Sequence, residues 1–181
     1  YTILILSILI LAANCQNPFA PPVVGPGSFR PIARQVDPDS VLFNFKYAYE
    51  NRDSIVYVNC LDNDFVFKFW NQSDVEGLIE DELQRDEVPG GDIYVTSMMF
   101  QRFDEIRLDS WTIRNRSDSI VGIDTLKTCD VSFYLYVGDM DGDYGYQHLE
   151  ASGIARFVFR LSPEDSLWRI LIWDDRLNKY L

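Results

Sequence analysis

The segment Asp139-Met140-Asp141-Gly142-Asp143-Tyr144-Gly145-Tyr146-Gln147-His148-Leu149-Glu150 is the densest set of oxygen ligands in the chain. It places carboxylates at positions 1, 3, 5 and 12 of a calcium-loop spacing, the last able to bind through both oxygens. Calcium held by Asp139, Asp141, Asp143 and Glu150 is therefore one expectation, and no other cofactor is expected. Position 6 of such a loop normally needs Gly for its sharp turn, but Tyr144 stands there and Gly145 comes one place late. Strands rather than helices also flank it, so an acidic, Gly-containing hairpin loop is the favoured reading.

Other groups that could do chemistry are scattered. His148, the single histidine, sits beside that loop at a strand start, where a solvated turn residue is a better account than a catalytic base. Asp62 and Asp64 fall between a helix and a strand, and capping or turn formation explains both. Cys60 and Cys129 would be permitted a disulfide in an exported protein, yet one lies on a helix face and the other near a strand start, which favours two buried free thiols. No nucleophile, base or metal cluster stands out, and no catalytic residue is assigned.

The net charge of −12 excludes a nucleic-acid partner, because phosphate neutralisation needs clustered Lys and Arg. Residues 1–37 carry +1 and the remainder −13, so the acidity belongs to the folded body. Tyr1–Leu11 is an apolar run too short to span a bilayer comfortably, followed by Ala12-Ala13-Asn14-Cys15. This is the form of a secretory leader, and its true start is expected upstream. Its end resembles a bacterial lipoprotein signal box, with Cys15 as the lipidated residue, although Asn14 departs from the usual Gly, Ala or Ser. An ordinary signal peptide or membrane anchor is the alternative. Gln16–Asp37 holds five prolines and two glycines without periodicity, which suits a semi-extended, disordered tether.

The elements that must position any site begin after Asp37, which can cap a helix with Pro38 at its first position. Val41, Leu42, Phe45, Ala48 and Tyr49 recur at helical spacing as one apolar face. Asp53 or Ser54 can cap a second helix that turns back on the first. Phe65, Phe67 and Phe69 alternate as a strand, and the capping-box pattern Ser73-Asp74-Val75-Glu76 predicts a third helix running through Leu83. Ile93–Phe103 fits either type, with a short helical piece near Met98 preferred. Strands are expected over Glu105–Ile113, Ser119–Val137 with an irregularity near Lys127-Thr128, His148–Leu161 and Leu167–Asp174, with a turn at Arg114–Asp118. Helices followed by long antiparallel strands make an α+β domain over residues 38–181.

The helix pair around Phe43–Asp53, the strand Phe65–Trp70, and the ending Gly153–Arg160 with Leu167–Asp174 resemble the nuclear transport factor 2-like superfamily, also called SnoaL-like or cystatin-like α+β cones. The resemblance implies a curved antiparallel sheet packed on about three N-terminal helices. It also implies an apolar pocket walled by Tyr47, Phe67, Phe69, Phe133, Phe157 and Trp168. The same rings could instead fill the cone. Leu171 and Trp173 would lie on the outer sheet face, through which relatives often dimerise, so a homodimer is possible. Enzymatic relatives use a carboxylate base with Tyr or His partners, and no such pair carries over residue by residue.

The function these residues suggest is that of an exported lipoprotein in the bacterial cell envelope, periplasmic or at the outer membrane. Its non-catalytic domain would bind a small apolar ligand or another envelope protein, and would touch the membrane only through its lipid. The alternative is a cone-pocket enzyme of isomerase or dehydratase type using acid-base chemistry.

Overall fold

A computed structural model describes residues 32–73, 77–86, 89–121, 124–139, 142 and 148–176. Helix α1 (Pro38–Asn51) starts where the sequence places it. Asp37 accepts from the Ser40 amide at 2.7 Å, and the Ser40 hydroxyl accepts from the Asp37 amide at 3.2 Å, closing a capping box. Arg52, left-handed at φ 55°, ends the helix, and Asp53 caps α2 (Ser54–Cys60) by accepting from the Ile55 and Val56 amides. Ahead of α1, Asn44 clasps Ala33 through both amide atoms, accepting from its N–H at 2.9 Å and donating to its carbonyl at 2.7 Å.

The chain then enters β1 (Leu61–Ser73) and β2 (Gly77–Gln84), which pair antiparallel. Of the helix expected from Ser73 to Leu83, Ser73 ends the first strand and residues 77–83 belong to the second, while residues 74–76 of its capping box lie outside the described residues. Ile79 and Leu83, four residues apart, share one face in either conformation, so their spacing cannot separate the two. Pairing with β1 decides it, setting Leu83 opposite Phe67 and Glu82 opposite Lys68. The Glu80-Asp81-Glu82 run that looked like the wet side of a helix instead marks a charged sheet edge.

Helix α3 (Asp92–Arg102) follows, longer than the short piece expected near Met98. Strands β3 (Glu105–Val121), β4 (Asp124–Gly138), β5 (His148–Leu161) and β6 (Trp168–Asp174) complete a six-stranded sheet in the order β2-β1-β6-β5-β4-β3. All pairs are antiparallel except β1 with β6. The turn expected at Arg114–Asp118 is part of β3, with Asn115 opposite Asp130 and Asp118 opposite Lys127. These residues are polar because this end of the edge strand is exposed on both faces, not because the chain reverses there. The pairing runs without a break through Lys127 and Thr128; the irregularities lie in β3, after Asp109, where Ser110 has φ 53°, and after Ile113.

β6 carries a further departure. Val158 faces Ile172 and Phe159 faces Ile170, which leaves Leu171 as an extra residue. Alternation is reset there, so Trp168 and Ile170 point inward and so does Trp173, which stands opposite Phe157. Trp173, expected on the outer face beside Leu171, packs against the core instead.

The core lies between α1 and the inner face of the sheet, centred on Phe45, which is 1% exposed. Its ring meets Tyr49, Tyr57, Trp111, Phe157 and Trp173 with centroids 4.9 to 5.9 Å apart. Burying one such ring contributes about 1.5–3 kcal/mol, with edge-to-face pairs adding to it. Cys60 and Cys129 are buried free thiols. Burial pushes the Cys60 thiol up to about 12, so it is inert as a nucleophile. Among the described residues no helix is long and apolar enough to cross a membrane.

Candidate functional site

Among the described residues, a buried polar cluster is assembled from three helices. Tyr57 on α2 donates its hydroxyl to Asp92 Oδ2 on α3 at 2.5 Å. Thr96, one helical turn further along α3, and Tyr49 on α1 complete it, the tyrosine hydroxyls lying within hydrogen-bonding reach of each other and of Thr96. Exposures are 0% for Tyr57, 2% for Asp92, 3% for Tyr49 and 5% for Thr96. Phe100 and Trp173 pack edge-on against Tyr49, and Phe100 also against Tyr57, so the surroundings are apolar.

Electrostatics follow from that burial. Desolvation raises the Asp92 carboxyl from 3.8 to about 6, opposed by the hydrogen bond from Tyr57. Burial and the nearby Asp92 charge raise both tyrosines, Tyr57 well above its ordinary value, which keeps their hydroxyls protonated and donating. A carboxyl that titrates near neutrality beside a tyrosine donor is chemically able to move a proton. At 0–5% exposure, however, no ligand atom reaches these groups unless side chains move aside.

Asp92 and Tyr57 escaped the sequence reading. An acid following Gly90-Gly91 at a helix start is ordinarily a solvated residue that favours the helix dipole, and nothing local reveals that α2 covers it. The six residues expected to wall a pocket are distributed as follows. Phe133, Phe157 and Trp168 are buried members of the core, and Tyr47 and Phe67 are half-buried against it. Phe69 stacks on Phe67 with centroids 5.2 Å apart. Three of the six thus lie within the packed interior.

The single histidine is far less enclosed. Asp141 and Asp143 lie outside the described residues, as does Cys15. Asp139 is buried at the end of β4, whereas Glu150 is half-exposed on β5 with His148 Nε2 3.6 Å from it. The His148 ring stacks on Tyr136 at 5.7 Å, with the Arg107 guanidinium 4.2 Å from that same tyrosine ring. Among the described residues no group of three or more His, Cys, Asp or Glu could hold a metal ion.

Asp62 and Asp64, expected as caps, are strand residues of β1. Asp62 is 4% exposed and takes both Nε and Nη2 of Arg160 from β5, while Asp64 accepts from Nη2 at 2.7 Å. A buried carboxylate in a strand cannot be told from a turn Asp without knowing that its partner lies 98 residues away.

No family model and no curated protein matches the chain. Solved structures do resemble it. A conserved protein from Planctomyces limnophilus superposes with a TM-score of 0.52 at 18% identity, covering 76% of this chain and 91% of that one. A protein from Kribbella flavida gives 0.52 at 8% identity, over 80% and 88%. A nuclear transport factor 2-like superfamily protein from Salmonella enterica gives 0.48 at 12% identity, over 74% and 83%. At these identities the likeness speaks for the fold alone. Three helices on a curved six-stranded sheet form the α+β cone that the sequence resemblance implies.

Proposed function

We propose that this nuclear transport factor 2-like cone is a non-catalytic binding domain, anchored to the bacterial cell envelope by a lipid on Cys15 and engaging another envelope protein through its outer surface. The fold itself suits ligand binding or an enzyme-like role. The binding reading rests on one observation: the interior is occupied by interlocked rings around Phe45, with the Asp92 carboxyl 2% exposed and already engaged by Tyr57. A small apolar ligand in the cone would have to displace these rings, which favours a protein partner. The test is photo-crosslinking in envelope preparations from exposed positions such as Ile55 and Phe43. A discrete heteromeric adduct that disappears with Cys15→Ser is the expected outcome. Adduct-free cells, together with saturable binding of an apolar fluorescent probe by the purified domain, would sink the proposal.

The Asp92–Tyr57 pair favours a second reading, an acid-base isomerase or dehydratase whose cone opens during turnover. Under that reading Asp92→Asn abolishes turnover of an enolisable substrate. Under the first it leaves crosslinking unchanged.

A further inference from the structure

Helix α3 is fastened differently at its two ends. Near its C-terminus the Phe100 ring packs edge-on against Tyr49 and Tyr57, Arg52 donates to the Phe103 carbonyl at 2.8 Å, and the Asp104 amide donates to Gly138 at 3.1 Å. Near its N-terminus the fastenings are mainly polar. Asp92 accepts from Tyr57, Thr96 bonds the tyrosine hydroxyls, and the Ile93 amide donates to the Arg85 carbonyl at 3.2 Å. Tyr94 and Val95 turn the other side of this first turn to water. Gly91 is the N-cap and brings no side-chain bond to it. Gly90, just before, sits at φ 130°, and among the described residues nothing lies within 4 Å of where its Cβ would stand. The two glycines form an unpacked joint at the start of the helix.

The charge balance at this end turns on Asp92. It faces Tyr57 from α2, Tyr49 from α1 and Thr96 from its own helix, none of them a cation. Asp175, after β6, adds a further negative charge on the Tyr49 side. Arg85 holds Ile93 only through its backbone carbonyl and directs its guanidinium Nη1 to Asp86. A carboxylate formed at Asp92 therefore has no positive partner among the described residues, and its apolar surroundings penalise it. Hydration relieves that penalty, and the joint at Gly90-Gly91 supplies a short movement that brings water in.

We propose that the first turn of α3 is a pH-governed latch, closed in acid by the bond between protonated Asp92 and Tyr57 and swinging out on Gly90-Gly91 toward neutrality while the Phe100 end stays docked. Opening hydrates the carboxylate and uncovers the hydroxyls of Tyr49 and Tyr57, which are shut away in the closed form. The sign follows from the two environments. The carboxyl is pushed up to about 6 when closed and returns toward 3.8 when hydrated, so the ratio of open to closed rises with pH between those values and levels off above them. Full hydration makes that rise about fiftyfold from pH 4 to pH 7, and partial hydration makes it smaller. The latch does not depend on what the domain binds, so its failure would leave the envelope-partner reading standing.

Amide hydrogen exchange followed by mass spectrometry, corrected for the intrinsic pH dependence of exchange, tests the latch on the full chain. Protection of residues 92–97 is expected to fall about tenfold to fiftyfold from pH 4 to pH 7. Residues 155–159 of β5 should stay better protected throughout, because they open only when the whole domain unfolds. Asp92→Asn keeps an acceptor for Tyr57 without the charge, so residues 92–97 should retain at pH 7 the protection they show at pH 4. Tyr57→Phe removes the bond that favours the carboxylate in the closed form, and should lower protection of residues 92–97 at pH 7 below that of the wild type. Melting curves identify a variant that has lost its fold, and Tyr57→Phe serves if Asp92→Asn has done so. Protection of residues 92–97 that is flat with pH in the wild type, that falls equally in Asp92→Asn, or that matches residues 155–159 at every pH would each overturn the proposal.

Discussion

Replacing Asp92 by Asn should make the protein more stable at neutral pH while leaving it unchanged near pH 4. In the fold the carboxyl titrates at about 6 instead of 3.8 because burial penalises its charge. The folded state therefore keeps a proton that the unfolded chain has already released, and wild-type stability falls as pH rises between those two values and stays lowered above them. At about 1.4 kcal/mol per pH unit, the ionised side chain costs the fold roughly 3 kcal/mol at pH 7. Asn keeps an oxygen to accept from the Tyr57 hydroxyl and carries no charge, so it escapes this penalty. For a domain of this size the gain corresponds to a melting temperature raised by roughly 6–12 °C at the upper limit. Urea unfolding followed by tryptophan fluorescence is a suitable assay, since Trp111 and Trp173 both pack against the core. The quantity to plot is the stability of Asp92→Asn minus that of the wild type, which cancels the titration of the other acids. That difference should grow from near zero at about pH 4 to its plateau above about pH 6. A difference that stays flat across this window would refute the reasoning, because Asp92 would then ionise as an ordinary surface acid.

Other perturbations have equally definite outcomes. Arg160→Leu leaves Asp62 buried without its partner and should destabilise the domain by about 3–5 kcal/mol in urea unfolding, whereas the double change with Asp62→Leu should recover much of that loss. Trp173→Phe removes a buried indole N–H that has no acceptor, so it should cost at least about 2 kcal/mol less than Trp173→Ala, which also opens a cavity. Asn44→Ala severs both hydrogen bonds to Ala33 and should speed proteolytic cleavage near residues 33–36, with a loss of about 1–3 kcal/mol. Asp37→Ala removes the acceptor that caps α1 and should lower stability by about 0.5–2 kcal/mol in the same unfolding assay.

What could be seen from the sequence divides along a physical line. Elements whose apolar residues all face one core were legible: the Val41–Tyr49 stripe of α1 and the alternation of β5 both lie where their periods place them. Elements at the sheet margins were not, because an edge strand has only one neighbour and little to bury. β2 and the Arg114–Asp118 stretch of β3 consist largely of polar residues for that reason, and polar runs read equally well as a helix exterior or a turn. The interior cluster was hidden for a different cause. Asp92, Tyr57, Tyr49 and Thr96 come from three helices, and none is unusual in its local setting. Only the packing of α2 over the start of α3 turns an ordinary first-turn Asp into a buried acid. Likewise Asp62 and Arg160 form one ion pair only because β1 lies beside β6 and β6 beside β5.

The extra residue in β6 has a consequence for how this strand can change length. Deleting Leu171 would restore strict alternation while leaving Trp168, Ile170 and Trp173 on the inner side, so the interior would keep its occupants and only local strand curvature would be lost. One residue removed or added a few positions away, between Trp168 and Ile170, would instead rotate an aromatic anchor out of the core. Position 171 is therefore where alignments of other cones with this chain should open a one-residue gap, and where a designer can shorten the strand without repacking the interior.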